Sequence, residues 1–352
     1  MPHIDLKYAE KRSNTMKKLL AAILCFAVAC FAFGCGISDD TSNEEKQEYT
    51  FVMPDGAPVL AAINLIKNYP EIDGHKMKYQ VVPAASIAQE YTKNAQLAVM
   101  PTNAAATLYS KNVDIKLASV NVFGVMYMLG QTEISSLEDL KGKVIYSIGE
   151  GNTPDLLMKY FLSKAGVESV KSDEAVDGKA AFVYVNEAPA AIQAMKMYQT
   201  GKSTKVVDYI VIGQPAATNA LKNLENTKIV FDFQQEWKTE NGSNYPQAGV
   251  VVKGAVAEDA SFIAALRVAL AENYAYITEN PTAITEVLTA NDSSLKAISF
   301  TKELIDACNI GYISSTEIKT SLETYFTNAT AHDATASKFF GGTLPDADFY
   351  VA

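Results

Sequence analysis

Ala32-Phe33-Gly34-Cys35 sets a thiol directly behind small residues at the end of a 15-residue uncharged run, Leu19–Phe33. Met16-Lys17-Lys18 places positive charge ahead of that run. This is the three-part layout of a cleaved export signal. A cysteine at the cut point points to S-lipidation, with Cys35 as the first residue of a lipoprotein. The run is shorter than the roughly 20 apolar residues a membrane-spanning helix needs. An ordinary signal peptide and an uncleaved anchor remain open, and Cys30, after Ala27-Val28-Ala29, offers an alternative cut. Residues 1–15 read as lying upstream of a start at Met16.

The other residues able to carry chemistry are few. His3, His75 and His332 are the histidines, and Cys308 is the one cysteine after Cys35. A Cys/His zinc cluster and a disulfide within the mature chain are therefore excluded. A nucleophilic triad would have to use His75, in a Gly74-His75-Lys76 turn, or His332, in a polar stretch. Both read as solvated surface residues, and Cys308 reads as a small core residue. No metal or cofactor is expected. Arg267 is the one arginine after residue 34. It falls among Phe262, Ile263, Leu266 and Leu270 at helical spacing and reads as a helix-surface pairing group. A bound anion would have to rely mainly on backbone N–H groups, hydroxyls and lysines.

Four short segments have the chemistry to hold such a ligand. They are Met53-Pro54-Asp55-Gly56-Ala57-Pro58, Met100-Pro101-Thr102-Asn103-Ala104-Ala105, Gly149-Glu150-Gly151-Asn152-Thr153-Pro154 and Gly213-Gln214-Pro215-Ala216. Each leads into a run of small apolar residues. Glycine lets backbone approach a ligand closely, Thr and Asn add side-chain donors, and a helix start adds free N–H groups. Such residues also occur in any α/β turn. Their repetition favours a shared cleft.

The elements that would position these turns alternate. Strands are predicted at Tyr49–Met53, Lys78–Val82 and Leu97–Met100. Helices are predicted near 58–67 and 103–109, with a capping box at Ser86-Ile87-Ala88-Gln89. Lys116–Leu129 is a long extended stretch containing Gly124. A second series follows, with strands Val144–Ile148, Phe182–Val185 and Tyr209–Ile212 and helices near 154–164, 188–199 and 216–223. Gly249–Lys253 is a returning strand. The tail from Asp259 is mostly helical, with Asn280-Pro281 as a helix start and a capping box at Ser314–Glu317. Alternation of this kind predicts open α/β sheets in two lobes, with ligand outside the carboxyl ends of the strands.

Composition bounds the partners. The formal charge is −10 for the whole chain and −13 once residues 1–34 are removed. That argues against nucleic acid, which needs a basic footprint. Residues 36–48 are polar and acidic and read as a flexible tether. About 300 residues remain from Tyr49 onward, enough for two domains. Later apolar runs are all interrupted before membrane-spanning length.

The stretches FVMPDGAPVLAAI, VMPTNAAATLYSKN, VNVFGVMYML, ISSLEDLKGKVIYSIGEGNTPDLLMKYFL, YIVIGQPAATNAL and YPQAGVVVKG run from Phe51 to Gly254. In this order the chain resembles the solute-binding proteins of ATP-driven (ABC) importers, in the family of sulfonate, taurine, nitrate and thiamine-precursor binders. The resemblance implies an α/β, two-lobed, periplasmic-binding-protein-like fold of type II, each lobe an open sheet flanked by helices with hinge crossovers between. Residues 49–125 plus 250–352 would form lobe 1 and 126–249 lobe 2, after a signal at 1–35 and a tether at 36–48. Carried over by position, the ligand-facing candidates are Gly56, Ala57, Thr102, Asn103, Gly151, Asn152 and Thr153. Gln214 replaces an acidic residue often found before this proline. Gln247 precedes the return strand, and Phe123 lies at the first crossover, where it could stack on a flat ligand. Tyr91, Tyr109 and Tyr245 are weaker stacking candidates, and Trp237 reads as a partly exposed surface anchor.

The function implied is capture of a small polar molecule and its delivery to an ABC permease, by a monomer tethered outside the cytoplasm to the membrane through lipid. An enzyme on the same fold and a ligand-sensing lobe for a membrane receptor are the alternatives. An amino acid is disfavoured as ligand, because Arg267 alone could grip its carboxylate. Amides, hydroxyls and aromatics suit a heterocycle, and a sulfonate held by N–H groups remains open.

Overall fold

The first strand shows what the sequence dictates. β1 (Tyr49–Pro54) is apolar but for the half-buried Thr50 and is buried on both faces from Phe51 on, as a strand inside a helix-covered parallel sheet must be. Proline ends it, having no N–H to continue the ladder. The computed structural model describes residues 46–151, 153–331 and 334–352. The described residues fall in one compact unit.

Among the described residues, thirteen strands make two sheets. They are β1, β2 (Glu71–Ile72), β3 (His75–Val82), β4 (Leu97–Pro101), β5 (Lys116–Phe123), β6 (Met126–Gly130), β7 (Val144–Ile148), β8 (Glu168–Lys171), β9 (Lys179–Val185), β10 (Tyr209–Gly213), β11 (Lys228–Asp232), β12 (Pro246–Val252) and β13 (Ile310–Ser314). The first sheet runs β13-β5-β12-β4-β1-β3-β2 and the second β11-β6-β10-β7-β9-β8. Each has a parallel centre: β3, β1 and β4 in the first, and β10, β7, β9 and β8 in the second. Antiparallel strands complete both. The fold is α/β, two sheets flanked by helices.

The predicted stretch Lys116–Leu129 is two strands in different sheets. β5 ends at Phe123, and β6 begins three residues later. Gly124 lies between them, where the chain passes from one sheet to the other. A Cβ there would meet Asn244 Oδ1 at 2.4 Å and the Tyr245 ring at 2.5 Å. The returning chain before β12 lies against it, and the Gly124 N–H donates to Tyr245 O at 3.1 Å.

The helix predicted near 58–67 is two helices, Ala57–Leu60 and Ile63–Asn68. The cause is a side chain inserted into its hydrogen-bond ladder. Asn273, on the helix Ala260–Glu279, donates from Nδ2 to Leu60 O and accepts the Asn64 N–H on Oδ1, both at 2.9 Å.

Several local expectations are corrected. His75 is buried, not solvated. Its ring stacks on Tyr49 at 4.1 Å, and its Nδ1 lies 2.8 Å from Gln47 O. Trp237 is 2% exposed, because Tyr160 and Tyr325 (each 5.2 Å away) and Tyr245 (6.1 Å) enclose it. The Ser86 hydroxyl donates to Pro83 O instead of capping its helix. Arg267 donates to Ala352 O at 2.7 Å, not to a neighbour on its helix. The Ser314–Glu317 capping box is formed. Cys308 is buried, and burial pushes its thiol up to about 12.

Candidate functional site

A cavity of about 400 Å³ opens between the two sheets. From the first sheet its wall takes the turns after β1, β3 and β4 and the start of β12. From the second it takes the turns after β7, β9 and β10 and the start of β6. These are carboxyl ends of parallel strands, where helices begin and backbone groups lie free. The loop residues Ser294 and Leu295 close one side. Asp55 fixes that loop: its carboxylate accepts from Ser294 N at 2.8 Å and from Ser294 Oγ at 2.7 Å.

Five sequence-selected residues line the cavity: Gly56, Ala57, Thr153, Gln214 and Gln247. Gln214 Oε1 accepts from Thr218 N at 3.1 Å and Thr218 Oγ1 at 2.9 Å. Gln247 Oε1 accepts from Val125 N at 3.3 Å, so this side chain spans from the return strand to the crossover.

Thr102, Asn103, Gly151 and Phe123 sit outside that lining. Thr102 is buried, and its hydroxyl donates to Pro246 O at 2.8 Å. Asn103 is buried and bridges the two halves: Nδ2 donates to Phe339 O at 2.9 Å and Gly151 O at 3.2 Å, and Oδ1 accepts from Thr153 Oγ1 at 3.3 Å. Both helix-start side chains turn back into the protein because backbone groups there need partners. Phe123 packs beside Gly311. Tyr91 and Tyr245 are buried away from the cavity, and the Tyr109 hydroxyl donates to Asp346. Asn152, His332 and Cys35 lie outside the described residues.

Sequence reasoning passed over Asn186 and Glu187, which line the cavity ahead of the helix Ala188–Gln199. Val185-Asn186-Glu187-Ala188-Pro189 is a fifth turn of the type already singled out, so the signal was present. Tyr184 also lines the wall and donates to Asp155 Oδ1 at 2.6 Å. Burial, then the Asp155 carboxylate, pushes its phenol far above its ordinary value. Asp155 is itself 1% exposed and also accepts from Gly151 N at 3.0 Å and Lys159 Nζ at 2.8 Å. Glu150 pairs with Lys171 at 2.7 Å. Among the described residues no group of three or more His, Cys, Asp or Glu is placed to hold a metal, and no helix is long and apolar enough to cross a membrane.

No protein-family model matches the chain, and no curated protein sequence does. Solved structures do. An ABC transporter structure from Parabacteroides distasonis superposes with a TM-score of 0.68 at 24% identity, covering 87% of this chain and 99% of that one. The periplasmic aliphatic sulphonate binding protein SsuA from Escherichia coli gives 0.58 at 16%, covering 81% and 86%. The alkanesulfonate-binding protein from Xanthomonas axonopodis pv. citri, bound to MOPS, gives 0.57 at 12%, covering 86% and 96%. The chain therefore shares the fold of periplasmic binding proteins.

Proposed function

We propose that this chain is an extracytoplasmic solute-binding protein, held to the membrane by lipid on Cys35, that captures a small polar molecule and delivers it to an ABC permease. The observation that carries this reading is the cavity whose wall is shared between the two sheets. A ligand touching both walls favours the arrangement that brings them together, by its differential affinity for that arrangement. In this reading residues 49–125 plus 250–352 move as one lobe and 126–249 as the other, in the type II manner, and the protein works as a monomer without chemistry on its ligand. Gly56, Ala57, Thr153, Gln214 and Gln247 are the proposed contacts.

The test is a thermal-shift screen of residues 36–352 against small polar solutes, with recovery of whatever binds. A saturable rise in Tm, reduced in Gln214→Ala and Gln247→Ala, with solute recovered unchanged, is the expected result. Solute recovered chemically altered would instead favour an enzyme on this fold. The anchor is tested separately: Cys35→Ala should move the protein from the membrane fraction to the soluble one.

A further inference from the structure

Positive charge is lacking on the described lining of this cavity. Five helices of eight or more residues begin on or beside its wall, at Ile87, Thr102, Thr153, Ala188 and Ala216. A helix start is equivalent to roughly half a positive charge, carried by its free N–H groups. Here Pro101, Pro154, Pro189 and Pro215 stand at the starts of four of them, and proline has no N–H; at the fifth, Ile87 N already donates to Ala84 O. Neighbouring N–H groups are already engaged within the chain. Asp155 takes Gly151 N at 3.0 Å, Gln214 takes Thr218 N at 3.1 Å, Glu187 O takes Ala190 N at 3.1 Å, and Gln247 takes Val125 N at 3.3 Å.

Acceptors are plentiful by contrast. The charged residues on the described lining are Asp55, Glu150 and Glu187, and no Lys, Arg or His stands among them. Asp55 is bonded by neutral donors only, the N–H groups of Gly56 and Ser294 and the hydroxyls of Ser293 and Ser294. Glu187 precedes the helix Ala188–Gln199 without capping it, and among the described residues its carboxylate has no partner. Only Glu150 is balanced, by Lys171. A carboxylate offers about four lone-pair sites and no donor. The rest of the wall sets the neutral polar side chains of Thr153, Asn186, Gln214 and Gln247 beside apolar Ile87, Val125, Met126, Ile148 and Leu295.

We propose that the cavity takes a small organic cation, a protonated amine on an apolar body, and not a sulfonate or other anion. This deepens the solute-binding reading and rests on it. An acceptor-only anion would face carboxylates with no cation on the described lining to offset them. An ammonium supplies the positive charge the lining lacks, and its hydrogen bonds to carboxylates are charge-assisted. Glu187 is the group with a free carboxylate and is the first contact to test.

The experiment is equilibrium dialysis of the purified protein against an equimolar mixture, read by mass spectrometry. The probes are matched by shape: pentan-1-amine, pentan-1-ol and pentane-1-sulfonate, with 2-phenylethylamine and 2-phenylethanesulfonate. Each amine should be retained at least tenfold over its matched sulfonate. Glu187→Gln should lower amine retention severalfold, and Glu187→Lys should lower it further, with Tm unchanged because this side chain holds nothing in the fold. Equal retention of amine and sulfonate, or preference for the sulfonate, overturns the charge assignment and leaves the binding reading standing. Retention of amines that ignores both substitutions also overturns it. Retention of no probe at millimolar concentration overturns this inference, while the binding reading stands or falls on the solute screen.

Discussion

Asn273 stands in for a missing backbone hydrogen bond: its carboxamide sits between Leu60 O and the N–H of Asn64, four residues further on, at 2.9 Å from each. In an unbroken helix those two groups would bond each other. The site is fully buried, with Asn64 and Asn273 both under 5% exposed. Asn273→Leu keeps the volume but leaves a donor and an acceptor without partners. Each such group costs about 1–3 kcal/mol, so the urea midpoint should fall by the equivalent of about 2–4 kcal/mol with the slope unchanged. A loss below about 0.5 kcal/mol would show that the helix can close its own ladder.

Gly124→Ala should strain the passage between the sheets. The added methyl would stand within 2.6 Å of both Asn244 and Tyr245, and forcing a group into packed space costs about 1–3 kcal/mol. Tyr245 lies 6.1 Å from Trp237, the one tryptophan of the chain. The expected result is a lower Tm together with a change in tryptophan emission. Wild-type stability and emission would mean that the crossovers move apart freely.

Asp232 predicts a pH effect. Burial raises its carboxyl above the ordinary value, against the opposing N–H groups of Gln235 and Gln234. A group raised on folding contributes stability that is complete below its unfolded pKa of 3.8 and is lost as pH rises through the folded value. Asp232→Asn keeps an oxygen for Gln235 N, now held at 2.9 Å, and removes the charge. Tm should rise by up to a few degrees at pH 7, and the gain should vanish near pH 3. An equal gain at both pH values would rule out the carboxylate as its source.

Cys308 should be silent toward thiol reagents. It is fully buried, and burial holds the thiol near 12, so little reactive thiolate forms. With residues 1–35 absent it is the one thiol in the chain. A chromogenic disulfide should detect none in the native protein and one in denaturing urea. Prompt reaction of the native protein would mean that the helix Lys302–Ala307 opens readily.

The central strands and their helices were legible in the sequence, and the sheet edges were not. Helices Ala188–Gln199 and Ala216–Asn223 have their expected ends, because proline, small residues and amphipathic spacing mark them. Unpredicted strands β2, β8, β11 and β13 are the four edges of the two sheets. An edge strand needs no continuous apolar run, and β8 is the half-exposed Glu168-Ser169-Val170-Lys171. The helix Phe233–Asn241 was also passed over, since its sequence is mostly polar. At the cavity, the turns were legible as turns. Which way Thr102 and Asn103 point was not, because it depends on carbonyls of Pro246 and Phe339 far along the chain. Ser294 and Leu295 carried no local signal, since only the tie to Asp55 brings them there.

The two sheets also differ in how the chain must be made. Every strand of the second sheet falls between residues 126 and 232, so it can assemble without anything later in the chain. β12 lies between β5 and β4 in the first sheet, with β5 and β13 beyond it. Until residue 252 has been synthesised, the strands on either side of β12 have no partner to join them. The part that begins translation first is therefore completed last, and the segment inserted within it is free to fold in the interval.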